Sequence, residues 1–457
     1  MPYQTVGGAP EKASRLSHSQ AVVRATASER SFYVPAEHVQ DMSWLGPLTH
    51  QRPTDTGPIV PLDLALAIDG SHMGACVRDG IPSVVYGFAQ TAAALINLSA
   101  MESAHAERFP DPAKFEKAVT AELVTVDLPI AGAYSRQGVT LKTSWRECLY
   151  DIFKTKSVDI GGGPAGKTLL ELLMHLHGTP TSPGSSTPVK CVRCETPDIP
   201  VPARGMKCPG PGGGVPCGED LYPTDVLRIH EEVSEQSSNE TALGRLMSVI
   251  ELLVLTGIVT LVWERSRSDV LTKTLFILDG PMAVYGTPAK LSKRALDYFQ
   301  AMFSSTAGTG PFICGIEKTG GMVDFGEQLA AHDVLKPGEL LECDHQVIAE
   351  VVGCDNPIAY GENTYWGRKF VYRAFDGRVV VPTVMPDAGD PYDKQGGQSS
   401  PKGYSTLPHV LNVVERTGSS MYHNGIIPVA TAHGKAAFPI GVGTDVLKIA
   451  SQQLLGL

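Results

Sequence analysis

Leu64-Ala-Leu-Ala-Ile68 runs into Asp69-Gly70-Ser71, and 210 residues later Leu275-Phe-Ile-Leu278 runs into Asp279-Gly280-Pro281. Each stretch reads as a buried strand that stops at an aspartate, with a glycine turn after it. The exit of a central strand is where ligands settle in open α/β sheets. Two carboxylates at two such exits suit a hard divalent cation. A single Asp-Gly is an ordinary turn dipeptide; the repetition after closely similar strands is what points to a site.

Between the two strands, Asn239 is placed to cap a helix. Its apolar positions, Leu243, Leu246, Met247, Ile250, Leu253 and Val254, form a helical stripe ending at Gly257. Glu251 borders that stripe. A carboxylate there needs a partner, and two are open to it: Arg245, or a cation shared with Asp69 and Asp279. His230 and Glu231 either join such a site or form the polar face of a short helix. His433 ends a β-like run, 426–433, as a fourth ligand or a general base. Tyr365–Arg373 interleaves aromatics with Arg368, Lys369 and Arg373. With Lys318 it forms either a base-stacking, phosphate-tracking wall or an amphipathic strand with solvated charges.

Cys191-Val-Arg-Cys194 is followed by Cys208 and then Cys217-Gly218, amid glycine and proline. Two knuckle-like thiolate pairs suit tetrahedral Zn²⁺ in a structural role, since four thiolates leave no open coordination position. The segment is poor in apolar residues, so metal would supply its folding energy. Gly161–Thr168 matches the Walker A pattern literally. A polar lead-in, Lys154–Asp159, and Pro164 inside the loop favour a plain glycine-rich loop before a helix.

The remaining elements are read from local pattern. Strands are expected at 81–87, 123–128, 311–316, 369–373 and 378–383, the last two pairing across Asp376-Gly377. Helices are expected at 17–25, 89–103, 145–153, 168–176, from 287, at 410–416 and at 441–454. The chain has 457 residues, 42% hydrophobic and 19% charged, with 47 glycines. That composition bounds a loop-rich α/β protein of two or three domains. A net charge of −10 excludes sequence-independent coating of nucleic acid, though not a local basic groove. Nine cysteines are too few for a disulfide scaffold and fit a reduced, cytoplasmic setting. No apolar stretch of membrane-spanning length is expected.

Asp69-Gly70-Ser71, Glu251 and Asp279-Gly280, in this order and spacing, resemble the NurA nuclease family from about residue 60 onward. The segments around 365–372 and 432–433 resemble its C-terminal part. The cysteine module is an insertion that resembles a bacterial branch. The resemblance implies an RNase H-like mixed sheet flanked by helices, with a zinc-ribbon-like insertion. The implied division is an N-terminal extension over 1–60, nuclease core over 61–184 and 223–457, and the insertion over 185–222. It further implies a Mn²⁺- or Mg²⁺-dependent deoxyribonuclease, an exonuclease with single-strand endonuclease activity, working as a homodimer with a HerA-type hexameric ATPase in DNA end processing or antiviral defence. Asp69 and Asp279 would be central ligands, Glu251 a bridging or flanking one, and His433 an outer ligand or proton handler. Two other readings stand beside it: a P-loop ATPase using 161–168, and a zinc-ribbon adaptor that binds DNA or protein without chemistry.

Overall fold

The computed structural model describes residues 42–53, 62–81, 83–105, 119–161, 165–177, 186–213, 215–352, 364–387, 403–418 and 424–437. The helices expected at 17–25 and 441–454, and most of the loop after Pro386, lie outside them. Residues 47–457 form one compact unit and residues 1–46 another.

A nine-stranded mixed sheet organises the larger unit. Its strands are β1 (Thr49–Gln51), β2 (Leu64–Arg78), β3 (Val84–Asn97), β4 (Val119–Ala131), β5 (Thr274–Asp279), β6 (Phe312–Glu317), β7 (Glu339–Glu342), β8 (Arg368–Arg373) and β9 (Val379–Val384). Their spatial order is β1-β7-β8-β9-β6-β5-β2-β3-β4. Only β2, β5 and β6 run parallel, with β5 between the other two. The rest pair antiparallel, β2-β3-β4 as a meander and β8-β9 as the expected hairpin. β5 and β6 are short and buried almost throughout, as befits parallel strands covered on both faces.

Helices cover the sheet: α1 (Leu141–Thr155), α2 (Leu169–His177), α3 (Glu240–Glu264), α4 (Lys290–Ser305), α5 (Gly321–Ala331), α6 (Leu407–Arg416) and α7 (Ile427–Ala436). Alternate residues of β2 show how α3 and α7 sandwich it. Gly70 and Gly74 face Glu251 and Glu240 of α3, whereas Asp69 faces His433 of α7. Successive side chains of a strand point to opposite faces, so the two helices lie on opposite sides.

Four expectations fail here. β2 does not stop at Asp69; it continues to Arg78, paired with β3 throughout. Residues 89–97 are strand rather than helix, and helix begins only at Leu98. The alanine-rich run misleads because alanine favours helix locally. In β3, however, Ala89, Ala92, Ala93 and Ala94 are buried, and their small side chains let α3 and α7 close on the sheet. Residues 427–436 are helix rather than strand, with Pro428 in the first turn, a position proline tolerates. The helix capped at Asn239 also runs past Gly257 to Glu264. It is long and apolar enough to cross a membrane, but 78% of its most apolar window is buried within the protein. Thr256 and Thr260 satisfy their hydroxyls on the carbonyls one turn back.

Candidate metal centre

The parallel pairing of β2 with β5 ends at Ile68–Leu278. β5 stops one residue later, while β2 continues against β3 alone. Asp69 and Asp279 therefore flank the notch where β5 runs out. α7 brings His433 to it from one face and α3 brings Glu251 from the other. Ligand atoms of Asp69, Asp279 and His433 lie within 4.8 Å of one another. His433 Nδ1 is 2.6 Å from Asp69 Oδ2, and the Gly70 amide donates to Asp69 Oδ1 at 2.8 Å. Glu251 packs against Gly70 and receives its amide as well.

The two Asp-Gly pairs are alike in sequence and different in cause. Gly280 has φ +98° and nothing near its missing side chain, so it serves the turn after β5. Gly70 lies in extended strand. A Cβ there would collide with the Glu251 carboxylate and come within 2.7 Å of Met247 Cγ. It is glycine because α3 must approach.

The cluster is electrostatically expensive without a cation. Burial and Asp279 raise the Asp69 carboxyl above its ordinary range, against the pull of His433 and Lys318. Burial, then Asp69 and Asp279, raise Glu251 well above its own, against the Gly70 amide. Like-charged carboxylates that share a site resist joint ionisation, and a hard divalent cation removes that cost. Carboxylate oxygens joined by one imidazole nitrogen suit Mn²⁺ or Mg²⁺. The donor set therefore fits such an ion. Asp69 is 6% exposed, yet the His433 side chain is 57% exposed, so the notch opens to solvent.

The structure brings Lys318, expected on a phosphate-tracking wall, into this cluster, with Nζ 2.6 Å from Asp279 Oδ2. The register was the missing signal: Lys318 follows β6, whose Ile316 pairs with Asp279. The rest of that wall is turned to protein partners. Lys369 Nζ sits 2.7 Å from Glu317 and over the Tyr365 ring. Arg368 is buried beside Glu342. Arg373 donates to the carbonyls of Ala330 and Leu335. β8 lies inside the sheet under α5, and its cations are spent there. Arg245 pairs with Glu232, not Glu251. His230 and Glu231 stay outside the cluster, Glu231 forking with Arg228.

The four cysteines converge, with all Sγ atoms within 4.8 Å of one another. Amides of Arg193 and Cys194 point at Cys191 Sγ, and that of Gly210 at Cys208 Sγ, the arrangement of two metal knuckles. Hydrogen bonds from Thr196 bring Cys194 down to about 6, toward the thiolate a metal needs. Two small hairpins carry the knuckles, 187–189 with 199–201 and 206–207 with 220–221. Their core comprises Val189, Ile199, Val201, Leu221 and two of the cysteines, slightly richer than the sequence suggested. Arg146 of α1 anchors the module through a fork to Asp225 at 2.8 Å and a bond to Glu219 at 2.9 Å.

The Walker-like stretch sits in another setting than a P-loop. Ser157–Val158 and Lys167–Thr168 pair antiparallel as a two-stranded hairpin outside the main sheet. Lys167 pairs with Glu264, and the Thr168 amide and hydroxyl both go to Glu171. Phosphate-binding groups at the end of a parallel strand are what a P-loop requires.

No family model matches the sequence, and no curated protein matches it. Among solved structures the chain is similar to the NurA nuclease from Sulfolobus solfataricus. That match has 10% identity and a TM-score of 0.34, and covers 97% of this chain and 95% of the other. At that score the likeness carries no weight for the chemistry, which rests on the residues described above.

Proposed function

We propose that the protein is a divalent-metal-dependent deoxyribonuclease whose centre is Asp69, Glu251, Asp279 and His433. One observation carries the reading: the carboxylates of Asp69 and Asp279 and the imidazole of His433, from β2, β5 and α7, meet at the notch where β5 ends, with the Glu251 carboxylate of α3 beside them against Gly70, and a bound cation would offset the burial and mutual repulsion that raise Asp69 and Glu251. Asp69 and Asp279 would hold the ion, with Glu251 and His433 completing the donors. The ion, Mn²⁺ or Mg²⁺, would ease ionisation of water and offset charge on the scissile phosphate. Lys318, beside Asp279, neutralises part of the cluster and sets a cation where a phosphate oxygen would arrive. His433 shares a proton with Asp69 through Nδ1 and exposes its ring to solvent, which suits passing a proton to or from the reacting oxygens.

The residue pattern shared with the NurA family extends the proposal to a homodimer that acts on DNA ends with a HerA-type hexameric ATPase, and to structural Zn²⁺ on Cys191, Cys194, Cys208 and Cys217. The test is digestion of end-labelled linear DNA with Mn²⁺, by wild type and Asp279→Ala, with and without the ATPase. Wild type cleaves and Asp279→Ala does not. Absence of cleavage in every arm, or equal cleavage by the two proteins, overturns the reading.

A further inference from the structure

A cleft of about 470 Å³ opens between the N-terminal turn of α1, the first cysteine knuckle and the short helical turns over 223–232. It shares no residue with the carboxylate cluster. Five cationic side chains line it against four carboxylates. Two of the cations are committed, Arg146 to Asp225 and Glu219, and Arg228 to Glu231. Lys190 has only a 3.4 Å pair with Glu195, exposed at both ends. Such a pair contributes little. Lys142 and Arg193 are exposed and have no ion-pair partner among the described residues. The surplus charge of the cleft is therefore theirs.

His230 supplies the second, independent observation. It is 6% exposed and lines the cleft, yet its ring makes no hydrogen bond among the described residues. Burial holds it below its ordinary pKa, with Asp225 opposing. The ring nitrogens are not sealed from the cleft, so a ligand oxygen there can reach them. At the N-terminus of α1 the amides of Leu141 and Thr143 already go to Glu235 and Thr140, so on this side of the cleft the charge for an anion comes from the Lys142 side chain. A cleft of this volume is in the range that holds a small ligand.

We propose that this cleft binds a phosphate group, with Lys142 and Arg193 as its charge partners and His230 as its buried hydrogen-bond partner. The phosphate comes either from the end of a DNA strand or from a free nucleotide, and the proposal stands whether or not the nuclease reading holds. The test is fluorescence anisotropy in buffer without added Mn²⁺ or Mg²⁺. The probes are 3′-labelled oligonucleotides with a 5′-phosphate or a 5′-hydroxyl, and AMP and inorganic phosphate serve as competitors. Wild type, the Lys142→Glu/Arg193→Glu double variant and a control, Lys293→Glu, are compared. The double variant binds phosphate-bearing probes about tenfold more weakly, and the control binds as wild type. A 5′-phosphate preference that the double variant loses assigns the strand end. Displacement by AMP with no such preference assigns the nucleotide. Equal binding of oligonucleotides and AMP by wild type and double variant overturns the proposal. In wild type, the labelled ring nitrogens of His230 shift on addition of inorganic phosphate; an unchanged ring removes His230 from it.

Discussion

Asp69→Asn separates what the carboxylate cluster costs from what it does. The substitution keeps the shape and an acceptor for the Gly70 amide while deleting one charge. Ligand oxygens of Asp69 and Asp279 lie within 4.8 Å, and two unit charges at that distance repel by about 3.5 kcal/mol at an effective dielectric constant of about 20. His433 and Lys318 return part of this, leaving a net relief on the order of 1 kcal/mol. The sign follows from proton linkage. Asp69 and Glu251 have raised values in the folded protein, so without metal the folded state holds protons more tightly than the unfolded chain. Stability therefore falls as pH rises from the ordinary carboxylate range through the raised folded values. Above that window, and without Mn²⁺, Asp69→Asn is expected to melt higher than wild type by about 1–3 °C; the gap closes at acidic pH. With Mn²⁺ at about 100 times its Kd, wild type gains about 2.7 kcal/mol and the variant gains little, so the order inverts. Thermal melts with and without Mn²⁺, run beside DNA cleavage, read both effects. A variant that melts lower than wild type without metal, or that gains as much from Mn²⁺, refutes the reasoning.

The two glycines separate in the same way. Gly70→Ala is expected to cost about 1–3 kcal/mol by overpacking and to lose most cleavage, because the new Cβ displaces Glu251. Gly280→Ala, at φ +98° with open space around it, costs about 1–2 kcal/mol and keeps cleavage; parallel melts and assays distinguish them. Arg146→Ala strands the buried Asp225 carboxylate and is expected to cost about 3–5 kcal/mol, read as a lowered denaturation midpoint. Cys208→Ser is expected to abolish zinc retention, measured by colorimetric metal release, and to expose 187–221 to protease. A wild-type protein purified without zinc would contradict the assignment.

How far the sequence could be read depended on whether the deciding force was local. β5 and β6 were legible because a strand buried on both faces is apolar throughout, and Asp279 because β5 does end there. Asp69 was found for a partly mistaken reason. The chain does not turn at Gly70; what ends there is the neighbouring strand, a fact of pairing that no local pattern carries. β3 was misread because its alanines answer to helices packed above and below, contacts formed by residues about 150 and 340 positions away. His433 was identified as a candidate inside the wrong element, since β-branched residues around Pro428 look like strand until proline is recognised as a first-turn residue. Lys318, Arg368, Lys369 and Arg373 form the clearest case. Their charge is visible in sequence, but exposure decides whether charge meets a phosphate, and exposure is set by the sheet order. β8 lies between β7 and β9, so Arg368 and Lys369 are absorbed by carboxylates of the same sheet and Arg373 by the carbonyls of Ala330 and Leu335. Lys318 sits just past the end of β6 next to β5, so its charge falls on the cluster. The same principle applies to His230: the sequence offers it to the carboxylate site, but the fold places it instead on a cleft built by α1, the first cysteine knuckle and the turns over 223–232.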